Sequence, residues 1–281
     1  MKYLEDLLFW VNERENIRAK KESGLPQPWT TDPVLSAYRF CNVDRNNDRV
    51  TKWIHNNWMY PNEYHPNLAF AMGIARMVNL PETLKDLSFP KYNWDLSHFI
   101  MTIEARKIVG MKSWTSAYMI TGGYSAGGEP KEVIIGRVLT DLNERLAETP
   151  ITHNMTLERA AEILQVPGIG SFLSAQIVAD LKMSQLLEDA TDWKTWCAPG
   201  PGSMAGLDYL HERTNTNYTN DQFISDVNGV KDIINAECEL DLCAQNTQNC
   251  LCEFSKYVRA KHFDKRLKSK YVPYEGPQLA S

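Results

Sequence analysis

The chain has 281 residues, 43% of them hydrophobic, and a net charge of −5, enough to bury a full core as one large domain or two lobes. No apolar run approaches the roughly 20 residues of a bilayer-spanning helix, and Glu5 and Asp6 interrupt what would be the apolar stretch of an export signal. The acidic balance argues against a non-specific nucleic-acid coat, so any contact with DNA has to be local.

Residues 3–22 read as an amphipathic helix with Leu4, Leu8 and Val11 inward. Arg14, Arg18 and Lys21 recur at i, i+4 and i+7, a face able to follow a phosphate backbone or simply to be solvated. Gly24-Leu25-Pro26-Gln27-Pro28 ends that helix, and Asp32-Pro33 opens another, Asp as cap and Pro in the first turn. The spacing of Arg45 with Arg49, and of Asp48 with Lys52, predicts one charge-laced helix from Asp44 to Trp58. Pro61 and Pro66 bracket a loop, and a helix over 67–78 stops before Pro81. Helices are also expected over 95–108, 131–148, 156–165 and 171–181. Four glycines within 122–128 mark a loop, but no Gly-x-x-x-x-Gly-Lys-Ser/Thr occurs, which argues against a kinase of the P-loop class. The stretch 189–206 reads as irregular, helices return from about Asp221, and the longest spans Glu239 to Lys261. Alternating strand patterns are nearly absent, so the fold class is mainly α.

The turn Val166-Pro167-Gly168-Ile169-Gly170-Ser171 lies between two of these helices, and Leu173, Ile177 and Leu181 give the second a buried face. Glycines there permit a tight turn and bare the amides of Gly168, Gly170 and Ser171 at a helix start, a ready anion site. An ordinary glycine-ended helical turn is the competing reading. About twenty residues on, Asp192 leads toward Gly200-Pro201-Gly202-Ser203, whose unhindered amides form a second candidate cradle or a plain loop. Asp192 is a candidate general base beside a gripped strand, or a turn-capping residue.

On the C-terminal helix Gln245, Asn249 and Glu253 fall at i, i+4 and i+8, with Lys256 one turn on and Leu251, Phe254 and Val258 opposite. Two amides, a carboxylate and an amine on one face suit reading a pyrimidine edge or positioning an amine nucleophile; a solvated face would carry Lys and Glu throughout. Arg39 and Arg45 sit among Tyr38, Phe40, Trp53 and Trp58, a pattern suited to pyrophosphate beside a stacked base, or to helix packing with surface ion pairs. The segment 256–270 is strongly basic, with Asp264 its single acid. Cys41, Cys197, Cys238, Cys243, Cys250 and Cys252 match no common zinc spacing, so free thiols are the default and no metal site is assigned.

Together Arg14-Glu15-Asn16-Ile17-Arg18, Pro28-Trp29-Thr30, Asp32-Pro33 and Tyr38-Arg39-Phe40-Cys41-Asn42-Val43 resemble the helical domain named after phage 5-hydroxymethyldeoxyuridine DNA kinases, of the α-glutamyl/putrescinyl-thymine pyrophosphorylase family. Asp192-Trp193, Gly200-Pro201-Gly202-Ser203, Gly206-Leu207 and Gln248-Asn249-Cys250-Leu251-Cys252-Glu253-Phe254 with Lys256-Tyr257 are similar to its later blocks.

The resemblance implies a phage-encoded transferase, working in the host cytoplasm. It would displace pyrophosphate from 5-(pyrophosphoryloxymethyl)uracil in DNA by an amino acid or polyamine. Asp192 and Glu253 would be catalytic, and Arg39, Arg45, Gln245, Gln248, Asn249 and Lys256 would bind substrate. Gly168, Gly170, Ser171, Gly200, Gly202, Ser203, Arg14 and Arg18 would hold DNA, with Mg²⁺ as an optional helper and other phage DNA-modifying enzymes as associates.

The expected architecture is a helix-hairpin-helix, DNA-glycosylase-like helical fold in one or two lobes: a transferase domain over 1–275, divided near 150, and a tail over 276–281. The alternatives are a monofunctional helix-hairpin-helix glycosylase and a non-catalytic DNA-binding partner. Phe172 stands where bifunctional glycosylases carry a lysine, which disfavours a lyase.

Overall fold

A computed structural model describes residues 1–115 and 128–271. Among them the helices are α1 (Leu4–Glu22), α2 (Pro33–Ala37), α3 (Arg49–Ile54), α4 (Leu68–Val78), α5 (Pro81–Leu87), α6 (Leu96–Ile108), α7 (Lys131–Glu148), α8 (Leu157–Ile163), α9 (Ser171–Leu181), α10 (Pro201–His211), α11 (Asn220–Glu237) and α12 (Ala244–His262). Extended pairing among the described residues is confined to the isolated bridges Tyr38–Lys270 and Val166–Ile169. The fold is mainly α, as the scarcity of period-two patterns requires. The glycine-rich loop expected over 122–128 lies, apart from Gly128, outside the described residues, as does the tail over 276–281. No helix among the described residues is long and apolar enough to cross a membrane.

The chain forms two compact units, Met1–Asp48 with Lys194–Ala280, and Arg49–Trp193. The first is therefore built from both ends of the chain, a grouping that does not follow a sequential division near 150. Its core gathers Leu7, Trp10 and Val11 of α1, Leu207 and Leu210 of α10, Phe223 and Val227 of α11, and Leu251, Phe254 and Val258 of α12. The inward face of α1 is Leu7, Trp10, Val11, Arg14 and Ile17; Leu4 and Leu8 are only half-buried, so the face is rotated from the one expected. Trp10 and Tyr257 each meet Phe40 edge-on, with ring centroids 6.1 and 6.3 Å apart.

The cap of α2 forms as expected: Asp32 Oδ1 accepts the amides of Val34 and Leu35 at 2.9 and 2.7 Å. Asp32 Oδ2 takes the Tyr257 hydroxyl at 2.9 Å, so one carboxylate both starts a helix and ties it to α12.

Four elements differ from expectation for local reasons. Gly200-Pro201-Gly202-Ser203 is the first turn of α10, with Pro201 at its N-terminal position, where a missing N–H costs nothing. Pro81 likewise starts α5 as well as closing the preceding segment. Residues 44–58 are not one helix: Asp44 caps a 3₁₀ turn over Arg45–Asn47, Asp48 is extended, α3 follows, and a π-helical turn runs over His55–Met59. The Asp44 carboxylate takes the Asn46 amide at 2.9 Å and so competes with a continuous helix. Finally, α12 begins at Ala244 rather than Glu239, because Glu239 sits at φ 53 and breaks the run.

Gly202 and Gly206 explain why α10 is helical and glycine-rich at once. A Cβ on Gly206 would lie 2.4 Å from the Leu251 carbonyl oxygen, and one on Gly202 would lie 2.4 Å from Cys252 Sγ. At i and i+4 the two glycines form a bare strip along which the α12 backbone approaches.

In the second unit α4 is buried along its whole length and ends at Asn79 in the left-handed region. A helix apolar on every side belongs in the centre of a core. Its one charged residue, Arg76, is neutralised there: Nε and Nη2 reach Asp180 of α9 at 2.5 Å each, and Nη2 also donates to Thr51 at 3.1 Å. His55 meets the same carboxylate at 2.9 Å. Helices α8 and α9 are joined by a turn in which Ile169 N–H donates to the Val166 carbonyl at 2.8 Å and Gly168 takes φ 91.

Candidate active site

In the first unit the polar stripe of α12 meets the segment 38–46 that follows α2. Glu253 is only 3% exposed, although its neighbours on the stripe reach solvent. Its Oε2 accepts the Cys41 amide at 3.2 Å, and its Oε1 accepts from Lys256 Nζ at 2.5 Å. One turn back Asn249 donates to the Asn42 carbonyl at 3.3 Å, and Cys250 Sγ donates to the Val43 carbonyl at 3.6 Å. Asn246 donates to Asp44 at 3.1 Å and accepts the Arg45 amide at 3.4 Å. Between Asn246 and Glu253, just over two turns, helix α12 thus bonds to residues 41–45 and satisfies backbone groups there that no strand ladder pairs.

Arg14 closes the cluster from α1. It is 9% exposed, and its acceptors are neutral: the Cys41 carbonyl at 3.1 Å and Asn42 Oδ1 at 3.0 Å. Burial holds its guanidinium below the usual arginine range, against the pull of nearby Cys41, Glu15 and Glu253. Burial would also lower the Lys256 ammonium, but the Glu253 carboxylate outweighs it and keeps that group above its ordinary value. Cys41 lies exposed but crowded by these groups; loss of hydration and the Glu253 charge push its thiol up to about 12. Burial pushes the Cys250 and Cys252 thiols up as well. The resulting site holds cations that stay charged at neutral pH, one fixed carboxylate, and amides with both donor and acceptor edges.

The other sequence candidates are distributed as follows. Arg39 is exposed and near enough to Cys41 to favour its thiolate, and it forms no ion pair among the described residues. Gln245 is half-buried on the stripe. Gln248 donates to Ser203 Oγ at 3.2 Å, and Ser203, fully buried, donates to the Gly200 carbonyl at 2.9 Å, so this trio ties the start of α10 to α12. Arg18 is held between Glu15 and Glu22 at 2.8 and 2.6 Å, so Arg14 and Arg18 do not form a shared exposed patch.

Gly168, Gly170, Ser171 and Asp192 belong to the second unit. Gly170 and Ser171 are exposed at the start of α9, beside Phe172, which is 54% exposed. Both Asp192 oxygens are engaged by the first amides of α8, Leu157 at 2.7 Å and Glu158 at 3.1 Å, so this carboxylate caps a helix 35 residues upstream. Among the described residues no group of three or more His, Cys, Asp or Glu is arranged to hold a metal ion. Cys41, Asn42 and Asn246 were not anticipated; in sequence Cys41 and Asn42 lie between Arg39 and Arg45, and Asn246 lies next to Gln245.

The family described as 5-hmdU DNA kinase, helical domain, matches residues 1–266. The chain belongs to that family. The match takes in every block on which the resemblance rests, from Arg14 to Tyr257. A curated relative, named 5-hmdU DNA kinase, of Bacillus phage SP10, is 28% identical over 228 residues, covering 73% of this chain and 36% of the relative. The chain therefore spans little more than a third of that relative's length. No solved structure matches.

Proposed function

We propose that this chain acts in phage thymine hypermodification as a transferase: an amine, from an amino acid or a polyamine such as putrescine, displaces pyrophosphate from 5-(pyrophosphoryloxymethyl)uracil in DNA. The observation that carries this reading is the buried Glu253, bonded at once to Lys256 and to the Cys41 amide beside Arg14. A relative named for 5-hmdU DNA points to the modified base. The absence of a Gly-x-x-x-x-Gly-Lys-Ser/Thr run speaks against P-loop phosphoryl transfer by these 281 residues.

The bond from the 5-methylene carbon to the pyrophosphate oxygen breaks and its electron pair leaves with pyrophosphate. The amine lone pair forms the new carbon–nitrogen bond, and the nitrogen then sheds a proton. Lys256, Arg14, Arg39 and Arg45 supply the positive field that favours the departing anion. Asn249, with Gln245 and Gln248 along the same helix, offers amide edges to the pyrimidine. Glu253 keeps Lys256 and the 41–42 segment in place and takes the nitrogen's proton. Asp192, with both oxygens on α8 amides, serves as a positioning residue for the helix that leads to the Gly168–Ser171 turn. Exposed amides at that helix start suit a DNA phosphate, as in a helix-hairpin-helix. On this reading the base is presented out of the stack, and other phage enzymes hydroxylate and pyrophosphorylate it beforehand, all in the host cytoplasm.

The test incubates the protein with pyrophosphorylated hydroxymethyluracil DNA and a pool of amines, then digests the DNA and weighs the nucleosides. An amine-substituted nucleoside with stoichiometric pyrophosphate is expected, and Glu253→Gln is expected to lower turnover by about 10²–10⁴-fold. Unchanged nucleosides with every amine would overturn the proposal. Alkali-labile abasic sites would replace it with a glycosylase, and DNA binding alone would replace it with a targeting partner.

A further inference from the structure

The second unit carries a groove of about 740 Å³, well within the size range of ligand sites. It is lined by Trp53 and Trp58, 5% and 3% exposed, by Phe89, and by Tyr92, which is 86% exposed. Lys85 and Lys91 also line it, and none of its lining residues is acidic. The Lys85 ammonium sits 5.7 Å from the centre of the Trp53 ring.

The wall is built rather than loose. Asn67 donates to the Pro90 and Tyr92 carbonyls at 2.9 and 3.1 Å, and Trp58 meets Phe89 edge-on at 5.8 Å. Asn57 and Asn62 donate to the Trp53 and Trp58 carbonyls at 2.9 Å each, leaving their amide oxygens as acceptors on the groove lining. An exposed tyrosine ring for stacking, lysines for a phosphate and amides for a base edge are the three chemistries a single-stranded nucleotide requires. A polyamine would want acids here, and a lipid surface would want an apolar rim without amides.

We infer that this groove binds one nucleotide of a DNA strand, its base against Tyr92 and its phosphate on Lys85 and Lys91. The site lies wholly within residues 53–92 and shares no residue with the Glu253 cluster. It takes DNA as the ligand from the function proposed above, but unmodified oligonucleotide suffices to test it, so its failure and that of the transfer reaction are separable.

The experiment measures binding of the full chain to a fluorescent oligothymidylate by anisotropy, over a range of salt concentrations. Tyr92→Ala should weaken binding about tenfold. Lys85→Gln with Lys91→Gln should make the slope of log K against log salt shallower by about 1.4, the single-strand value for two phosphate contacts. Tyr64→Ala, at a tyrosine 83% exposed but outside the groove, should change neither. A bromodeoxyuridine oligonucleotide should cross-link within 53–92. Cross-links confined elsewhere, or equal weakening by Tyr64→Ala, or an unchanged slope in the double lysine variant, would each overturn the assignment.

Discussion

Gly206→Ala tests the close approach of α10 to α12, the helix that carries Glu253. The new methyl would lie 2.4 Å from the Leu251 carbonyl oxygen and 2.9 Å from the Leu251 carbonyl carbon. Both are backbone atoms of α12, so no side-chain rotation relieves the overlap, and the helices have to separate. Overpacking costs about 1–3 kcal/mol in general, and the absence of a rotamer escape puts this case near the top of that range. At about 4 °C per kcal/mol for a unit of this size, the midpoint should fall by about 8–12 °C. Gly229→Ala is the matched control: Gly229 is exposed in α11 with nothing within 4 Å of its missing Cβ. There alanine should stabilise by about 0.5–1 kcal/mol through helix propensity and a less flexible unfolded chain. The assay is thermal melting followed by helical circular dichroism, with tryptophan fluorescence as a second probe because two units need not melt together. Melting of Gly206→Ala within about 2 °C of wild type would refute the close approach of α10 and α12, given the scale above.

Asp180→Ala removes a carboxylate with no exposure and leaves the Arg76 guanidinium buried; urea denaturation should show a loss of about 3–5 kcal/mol. For Asp6, burial raises the pKa but the bonds from Lys261 and His262 outweigh it, so the folded value lies below 3.8. Its stabilisation is therefore fully present above 3.8 and lost as pH falls through the folded value; urea midpoints of wild type and Asp6→Asn should differ at pH 6 and converge in acid. At pH 8 the Cys41 thiol, held up to about 12, should alkylate with iodoacetamide about 10³-fold more slowly than free cysteine despite its exposure. Glu253→Gln should speed that reaction, as peptide mass spectrometry would show.

What could be read from sequence was what is decided within a few residues. Asp32 caps its helix as expected, and the helices expected from 95 and 156 are capped by Asp95 and Thr156, because a cap is a side chain answering amides two or three residues on. The helix expected from about Asp221 starts one residue earlier, at Asn220, behind a capping box of Thr219 and Gln222. By contrast α10 reads as a loop, since glycine spacing reports a neighbour whose contact, Gln248 with Ser203, spans 45 residues. The stripe Asn249, Glu253, Lys256 was legible as helical spacing. Its counterpart was not: Cys41 and Asn42 meet α12 across more than 200 residues. Arg14, spaced with Arg18 and Lys21, read as an exposed phosphate contact or a solvated charge because arginines seldom go inside. It is buried because the Cys41 carbonyl and the Asn42 side-chain oxygen receive it.

The first unit is assembled from the two ends of the chain, which gives its birth on the ribosome an order. Lys261, which grips Asp6, is separated from it by 255 residues. At roughly 5–20 residues per second, α1 waits about 10–50 s for its partner. Meanwhile the middle unit is complete and free to close around α4. Through that interval α1 lacks the partner helix against which Leu7, Trp10 and Val11 pack in the folded unit.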